Sequence, residues 1–356
     1  MLGPSLGVQG GVSAVERLIL ESQLPDVSIR LLPTTFQVNN LWKAVLFVPA
    51  FWRLAGVLLT QRVDLVHIHF SIRGSMWRKA FCAGLAKRFR KPVLMHAHAG
   101  GFHEYLESLP RWQRRWFVRV LQRSDGLIAL SEAWSRFYID EVGVDKDRVY
   151  VLPNPVALPN EVPDRSNRSV TTIVFLGRMD ENKGPVRILE AVARFSDIMK
   201  AKIRIHMAGD GEVDNVRRAA ARLGLEKQTE IEDWVTPERR DEILARGDLF
   251  VLPSRAEGMP MSLLEALAWG LPVVTTPVGG IPAVVQNGRE GFLVEPDDIE
   301  SLSAAIATLV EDESLRLQMG AQARESAKRF DRSVYGKRLA EIYRDTIARI
   351  RSPLRE

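Results

Sequence analysis

Short apolar runs alternate with helical patterns along almost the whole chain, and this alternation limits the fold more than any single motif does. Strand-like runs fall at Leu65–Phe70, Val93–His98, Gly126–Ala129 and Val149–Leu152, then at Thr172–Leu176, Lys202–Ala208, Leu249–Leu252 and Val273–Thr275. Between them lie helical patterns at Ser75–Arg88, Arg111–Gln122, Pro185–Phe195, Val213–Leu223 and Pro260–Trp269. Parallel strands need crossover connections, so the pattern predicts parallel sheets flanked by helices. A tract with four prolines, Leu152–Ser169, interrupts it, and the alternation restarts at Thr172. The simplest architecture is α/β, with two Rossmann-like doubly wound domains, residues 1–157 and 158–331, facing a central cleft. A C-terminal helix of about 332–356 packs back on the first domain. Too little chain precedes Gly10 for a full first strand, so the sequence reads as clipped or as lacking half a strand.

The single cysteine, Cys82, excludes an intramolecular disulfide and a cysteine metal cluster. The formal charge of +5 favours anionic partners, and the front half concentrates it. Arg73, Arg78, Lys79, Lys87, Arg88, Arg90 and Lys91 come without an acid among them, as do Arg111, Arg114, Arg115, Arg119 and Arg123. Arg111–Arg123 interleaves its arginines with Trp112, Trp116, Phe117, Val120 and Leu121 at helical spacing, and 75–91 repeats the idea with Trp77, Phe81 and Phe89. Such helices suit an anionic membrane surface, or serve as ordinary domain helices with a solvated basic face. The apolar run Leu41–Leu59 contains Lys43, Pro49 and Arg53, which favours a buried or interfacial helix over a membrane span. No signal peptide is visible, and no base-reading motif points to nucleic acid.

The chemistry concentrates in a few blocks. Ser254–Pro272 reads as a loop after a strand followed by a helix starting near Pro260, with Glu257 and Gly258 on the loop, then Met259, and Glu265 on the helix. Free amides of that first turn form an anion site, and both glutamates can accept hydroxyl protons. Gly177 ends a strand and leaves Arg178 and Lys183 on the next turn, two permanent cations suited to a diphosphate. Gly7, Gly10 and Gly11 open the first helix, where a diphosphate or sugar can rest on the backbone, or where a tight turn is all that is needed. His67 and His69 share one strand face, as do His96 and His98. These pairs can ligate zinc or be satisfied core residues, and no acidic or cysteine ligand stands at a fixed spacing. Asp145 and Asp147 read as a solvated loop.

On these blocks the chain resembles glycosyltransferase family 4, the retaining group 1 glycosyltransferases of GT-B fold. The resemblance implies that Glu257 binds hydroxyls of the transferred sugar, that Glu265 binds the ribose, and that Arg178 and Lys183 stabilise the leaving diphosphate. It places His98 against the sugar, Gly10 and Gly11 at the donor, and cleft loops at Asn154, at Gly209, Asp210, Gly211 and Glu212, and at Gly279 and Gly280. Trp234 and Val235 lie beside the nucleobase. Ala283 departs from the family, which commonly has an acid there. The implied activity is transfer of a sugar from a nucleotide-sugar donor to a saccharide or lipid-linked acceptor, in cell-surface polysaccharide or glycolipid synthesis. The alternative is a nucleotide-sugar epimerase of the same fold. No cofactor, metal or nucleic acid is expected, and the location is cytoplasmic or peripheral on the cytoplasmic membrane face.

Overall fold

A computed structural model describes residues 1–22 and 24–351. One compact unit comprises Met1–Pro155 with the chain from Arg332 onward, and the other comprises Val156–Asp331. Residues 352–356, the end of the expected tail, lie outside the described residues.

The first unit runs β1 (Leu2–Pro4), α1 (Gly11–Glu21), β2 (Leu32–Thr35), α2 (Asn40–Thr60), β3 (Val66–Phe70), α3 (Gly74–Arg88) and β4 (Val93–Ala97). It continues with α4 (Phe102–Ser108), α5 (Arg111–Gln122), β5 (Gly126–Ala129), α6 (Glu132–Arg136) and β6 (Val149–Val151). The second runs β7 (Thr171–Leu176), α7 (Pro185–Ala193), α8 (Asp197–Lys200), β8 (Ile203–Ala208), α9 (Val213–Arg222), β9 (Thr229–Glu232) and α10 (Pro237–Arg246). After these come β10 (Leu249–Leu252), α11 (Met261–Ala268), β11 (Val273–Thr275), β12 (Gly291–Leu293), α12 (Ile299–Glu311) and α13 (Glu313–Ala327). The chain then returns to the first unit as α14 (Arg332–Arg351).

Each unit holds a six-stranded parallel sheet, in the orders β2-β1-β3-β4-β5-β6 and β12-β11-β10-β7-β8-β9. The strand ahead of the glycine loop is therefore present, as Leu2–Pro4. Beyond the strands the sequence announces, the structure adds β1, β2, β9 and β12. The last three are sheet edges, where strands are short and tolerate Pro33 or the half-exposed alternation of Thr229–Glu232.

Strands β3 and β4 are buried on both faces, yet the faces differ in chemistry. Ile68, Phe70, Met95 and Ala97 join an apolar core with Met76 and Ala80 of α3 and Phe117 and Leu121 of α5. His67, His69 and His96 project from the opposite face, where α14 supplies Tyr343 as a hydrogen-bond partner. The basic stretch of 75–91 is less solvated than its composition implies. Lys79 is buried and donates to the Thr34 hydroxyl, Lys87 pairs with Asp125 at 2.7 Å, and Trp77 and Phe89 pack against the core.

Candidate active site

Ligands of doubly wound sheets settle beyond the carboxyl ends of strands, where the strand order reverses. In the second unit that point lies between β7 and β10. The loops after these two strands carry Arg178–Lys183 and Ser254–Pro260. They are clamped together: the Asn182 side-chain amide donates to the Ala256 carbonyl at 3.0 Å, and the Arg255 N–H donates to the Asn182 carbonyl at 2.8 Å. Arg187 of α7 spans both, donating to the carbonyls of Glu181 (2.9 Å) and Pro253 (2.8 Å). This frame sets Lys183 Nζ 2.5 Å from Glu257 Oε1, which also accepts the Ser254 hydroxyl at 2.7 Å. Glu257 is buried, and a cation and a hydroxyl satisfy its Oε1 there.

Close backbone approach explains the glycines. A Cβ at Gly209 would lie 1.8 Å from the Gly177 carbonyl oxygen, and one at Gly279, where φ is +58°, would lie 1.7 Å from that of Glu257. Beside them, the Met179 N–H donates to the Asp210 carbonyl at 2.6 Å, and the Gly280 N–H donates to the Gly258 carbonyl at 2.7 Å. Arg178 is 64% exposed and directs its Nε toward Asp180 at 3.4 Å.

Helix α11 begins at Met261 with Pro260 as its N-cap, so the proline stands just outside the first turn rather than in it, and no side chain among the described residues caps that turn. Its leading amides thus keep their donor capacity. Glu265, one turn on, accepts from Arg240 Nη1 at 2.6 Å, and burial pushes its pKa up. After β9, Trp234 is 44% exposed and Val235 half-buried. The preceding Glu232 accepts from Arg239 (2.6 Å) and His206 (2.7 Å), and Arg239 holds its carboxyl below the usual range. His206, Glu230 and Glu232 are metal-ligand types close together, but the Arg239 guanidinium already serves them as a cation.

In the first unit the strand order reverses between β1 and β3. Gly10 caps α1 at φ 144°, with nothing within 4 Å of where a Cβ would stand. Gly11 is the first residue of that helix. His98 follows β4, and its Nε2 lies 2.7 Å from His69 Nδ1. His96 Nδ1 lies 3.2 Å from His67 Nε2, and His67 Nδ1 lies 2.7 Å from the Tyr343 hydroxyl. The Nε2 atoms of His69 and His96 are buried with no partner among the described residues. A neutral imidazole carries one donor and one acceptor, and a buried donor without an acceptor costs its full desolvation. We therefore assign both protons to Nδ1, so that His69 donates to His98, and His96 to His67. His67 then donates to Tyr343, and His98 carries its own proton on Nδ1. Burial pushes the His98 pKa down to about 3 and holds the other three well below the ordinary imidazole value, so all four are neutral.

Three of these histidines have metal-ligand atoms near one another. The His67–His96 and His69–His98 rings are nearly parallel, with interplanar angles of 10° and 12°. The nitrogens that face across each pair already hydrogen-bond one another, so they aim at each other rather than toward one point, which does not suit a tetrahedral ion. Ser254, Arg240 and His69, each holding an expected site residue, are not assigned roles by the sequence motifs. Two of them left a trace there, His69 as half of a repeated His-x-His and Ser254 as the first residue of its block, while Arg240 left none.

Two parallel six-stranded sheets, each with its glycine-rich and charged loops at a switch point, define a GT-B protein. The family description "Glycosyltransferase Family 4" matches residues 21–158 and "Glycosyl transferases group 1" matches residues 162–326. The chain belongs to this family of group 1, family 4 glycosyltransferases. An exopolysaccharide phosphotransferase of Streptomyces coelicolor is 32% identical over 65% of this chain, which spans only 24% of that protein. The D-inositol 3-phosphate glycosyltransferase of Corynebacterium glutamicum is 26% identical over 80% of this chain and 73% of its own length. The Anabaena protein HepE, crystallised with UDP-glucose, shares the fold with a TM-score of 0.75 over 96% of this chain and 97% of its own, at 21% identity.

Proposed function

We propose that the protein transfers a sugar from a nucleoside-diphosphate donor to a saccharide or lipid-linked acceptor, with retention at the anomeric carbon, in cell-surface polysaccharide or glycolipid synthesis. The observation that carries this reading is the Lys183–Glu257 contact at the β7/β10 switch point, beside the uncapped start of α11. A cation, free amides and a buried carboxylate in one loop pair match the needs of a diphosphate joined to a polyhydroxylated ring. The HepE complex with UDP-glucose and the sugar transferase from Corynebacterium support it.

In this mechanism the bond from the anomeric carbon to the diphosphate oxygen breaks, and the acceptor oxygen bonds to that carbon on the same face. The departing diphosphate takes the acceptor proton. Arg178, Lys183 and the first turn of α11 stabilise the growing negative charge. Glu257 and the Nδ1–H of His98 orient the sugar, while Glu265 holds the ribose. Gly10, Gly11, Gly177, Gly209, Asp210, Gly258, Met259 and Pro260 supply backbone to the donor, with Trp234 and Val235 beside its base. No metal or other cofactor takes part, so transfer should survive exhaustive chelation. The basic helices α3 and α5 bring the enzyme to an anionic membrane on the cytoplasmic side.

Calorimetric titration with UDP-, GDP- and ADP-sugars, followed by analysis of the product's anomeric configuration, tests the reading. Tight binding of one donor and a retained product are expected. Interconversion of the donor without any acceptor would instead mark an epimerase, and inverted product would remove the mechanism.

A further inference from the structure

The outward face of α2 carries Trp42, Val45, Val48, Trp52 and Leu59, all exposed, with Trp52 at 69% and Leu59 at 71%. At 3.6 residues per turn these five fall within about a third of the helix circumference. The opposite face, with Leu54 and Leu58, is buried in the unit's core, and Phe47, Phe51 and Val57 pack against it. A helix apolar all round belongs inside a protein or inside lipid, yet only 22% of Trp42–Thr60 is buried. A patch of this kind marks an interaction surface.

What covers it follows from charge. Helices α2, α3 and α5 contain no aspartate or glutamate, and α3 contacts both of the others. Arg53, Arg88, Arg111, Arg114, Arg115 and Arg119 are exposed on them. Two further aromatics project outward from α3 and α5, Phe81 at 53% and Trp112 at 70%. Arginines interspersed with outward tryptophans match the acyl–headgroup boundary of an anionic bilayer. Twenty-one residues reach about 31 Å, which is long enough to cross a bilayer. Crossing, however, would strip Leu54 and Leu58 from the core they complete.

We infer that α2 lies in the plane of an anionic bilayer, its inner face held by the protein and its outer face sunk among acyl chains. This deepens the membrane part of the proposed function. There the basic helices supply attraction, and here α2 supplies insertion, independently of the sugar chemistry.

Co-sedimentation of the full chain with phosphatidylcholine vesicles, with and without roughly a third phosphatidylglycerol, tests it. Wild type should bind the anionic vesicles. A Trp42→Ser, Trp52→Ser and Leu59→Ser variant should bind at least about tenfold more weakly, with unchanged circular dichroism and unchanged transfer to a water-soluble acceptor. Brominated lipid should quench tryptophan emission in wild type and much less in Trp42→Phe/Trp52→Phe, which keeps the fold and the apolar face. Undiminished binding by the serine variant, or equal quenching in the phenylalanine variant, overturns insertion by α2 and leaves attraction through α3 and α5 standing. No binding of wild type to anionic vesicles overturns both. Lipid-free self-association that the serine variant abolishes would identify a second copy as the occupant and overturn the inference as well.

Discussion

Lys183 and Glu257 are more informative as a pair than as separate residues. A carboxylate as buried as Glu257 needs its cation, and a donor diphosphate would compete with it for the same lysine. Lys183→Ala should therefore lower kcat by about 10²–10³, the usual cost of losing one preorganised charge-stabilising group, while donor affinity falls less. Glu265→Ala should do the reverse, raising the donor dissociation constant with little change in single-turnover rate. Unchanged rates and affinities in both variants would remove the site assignment. Replacing His69 by Phe deprives His98 Nε2 of its donor. The ¹⁵N spectrum of His98, expected to show a single Nδ1–H tautomer in wild type, should then show a tautomer mixture.

At the scale of elements, the block Ser254–Pro272 is legible in the sequence because strand, loop and helix are contiguous, and Pro260 and Gly270 punctuate them. Arg240 is not, because 25 residues separate it from Glu265 and an arginine on a charged helix carries no mark of its partner. The edge strands escape for a related reason. An edge needs neither an unbroken apolar run nor the absence of proline, so β2 and β12 lack the signals that announce β3 and β10. The pair Gly279–Gly280 is readable as a loop, but its purpose emerges only against the carbonyl of Glu257. Gly279→Ala, strained by its φ of +58° and by that contact, should push the Glu257 loop aside, and donor titration should register the loss while secondary structure stays intact. The imidazole face of β3 and β4 predicts a pH dependence. Native His67, His69 and His96 resist protonation, whereas the unfolded chain takes up protons below about pH 6.5. Stability should thus fall as the solution is acidified, by about 1.4 kcal/mol per pH unit for each imidazole that stays neutral. The thermal midpoint measured from pH 7 to pH 5 should drop steeply, and His67→Phe/His96→Phe should flatten that slope.

Across the whole molecule, the first unit is assembled from two separated stretches of chain. Helix α14 supplies the Tyr343 hydroxyl to His67, and Asp345 accepts from Tyr150 at 2.5 Å. The Arg332 carbonyl accepts from Ser22 at 3.3 Å. The second unit is continuous, and its entry and exit lie side by side, the Val156 N–H donating to the Phe330 carbonyl at 2.8 Å. A chain ending at Asp331 should accordingly show faster amide hydrogen exchange in β3 and β4, with exchange in β7 and β10 unchanged. Equal protection in both forms would show that α14 is dispensable. During synthesis this arrangement has a temporal side. The ribosome releases every residue of the later unit before Tyr343 emerges, so the earlier unit must wait, with its row of imidazoles uncovered, until α14 has been made. A stalled or prematurely terminated message would then yield one finished lobe joined to one that chaperones and proteases can still recognise as incomplete.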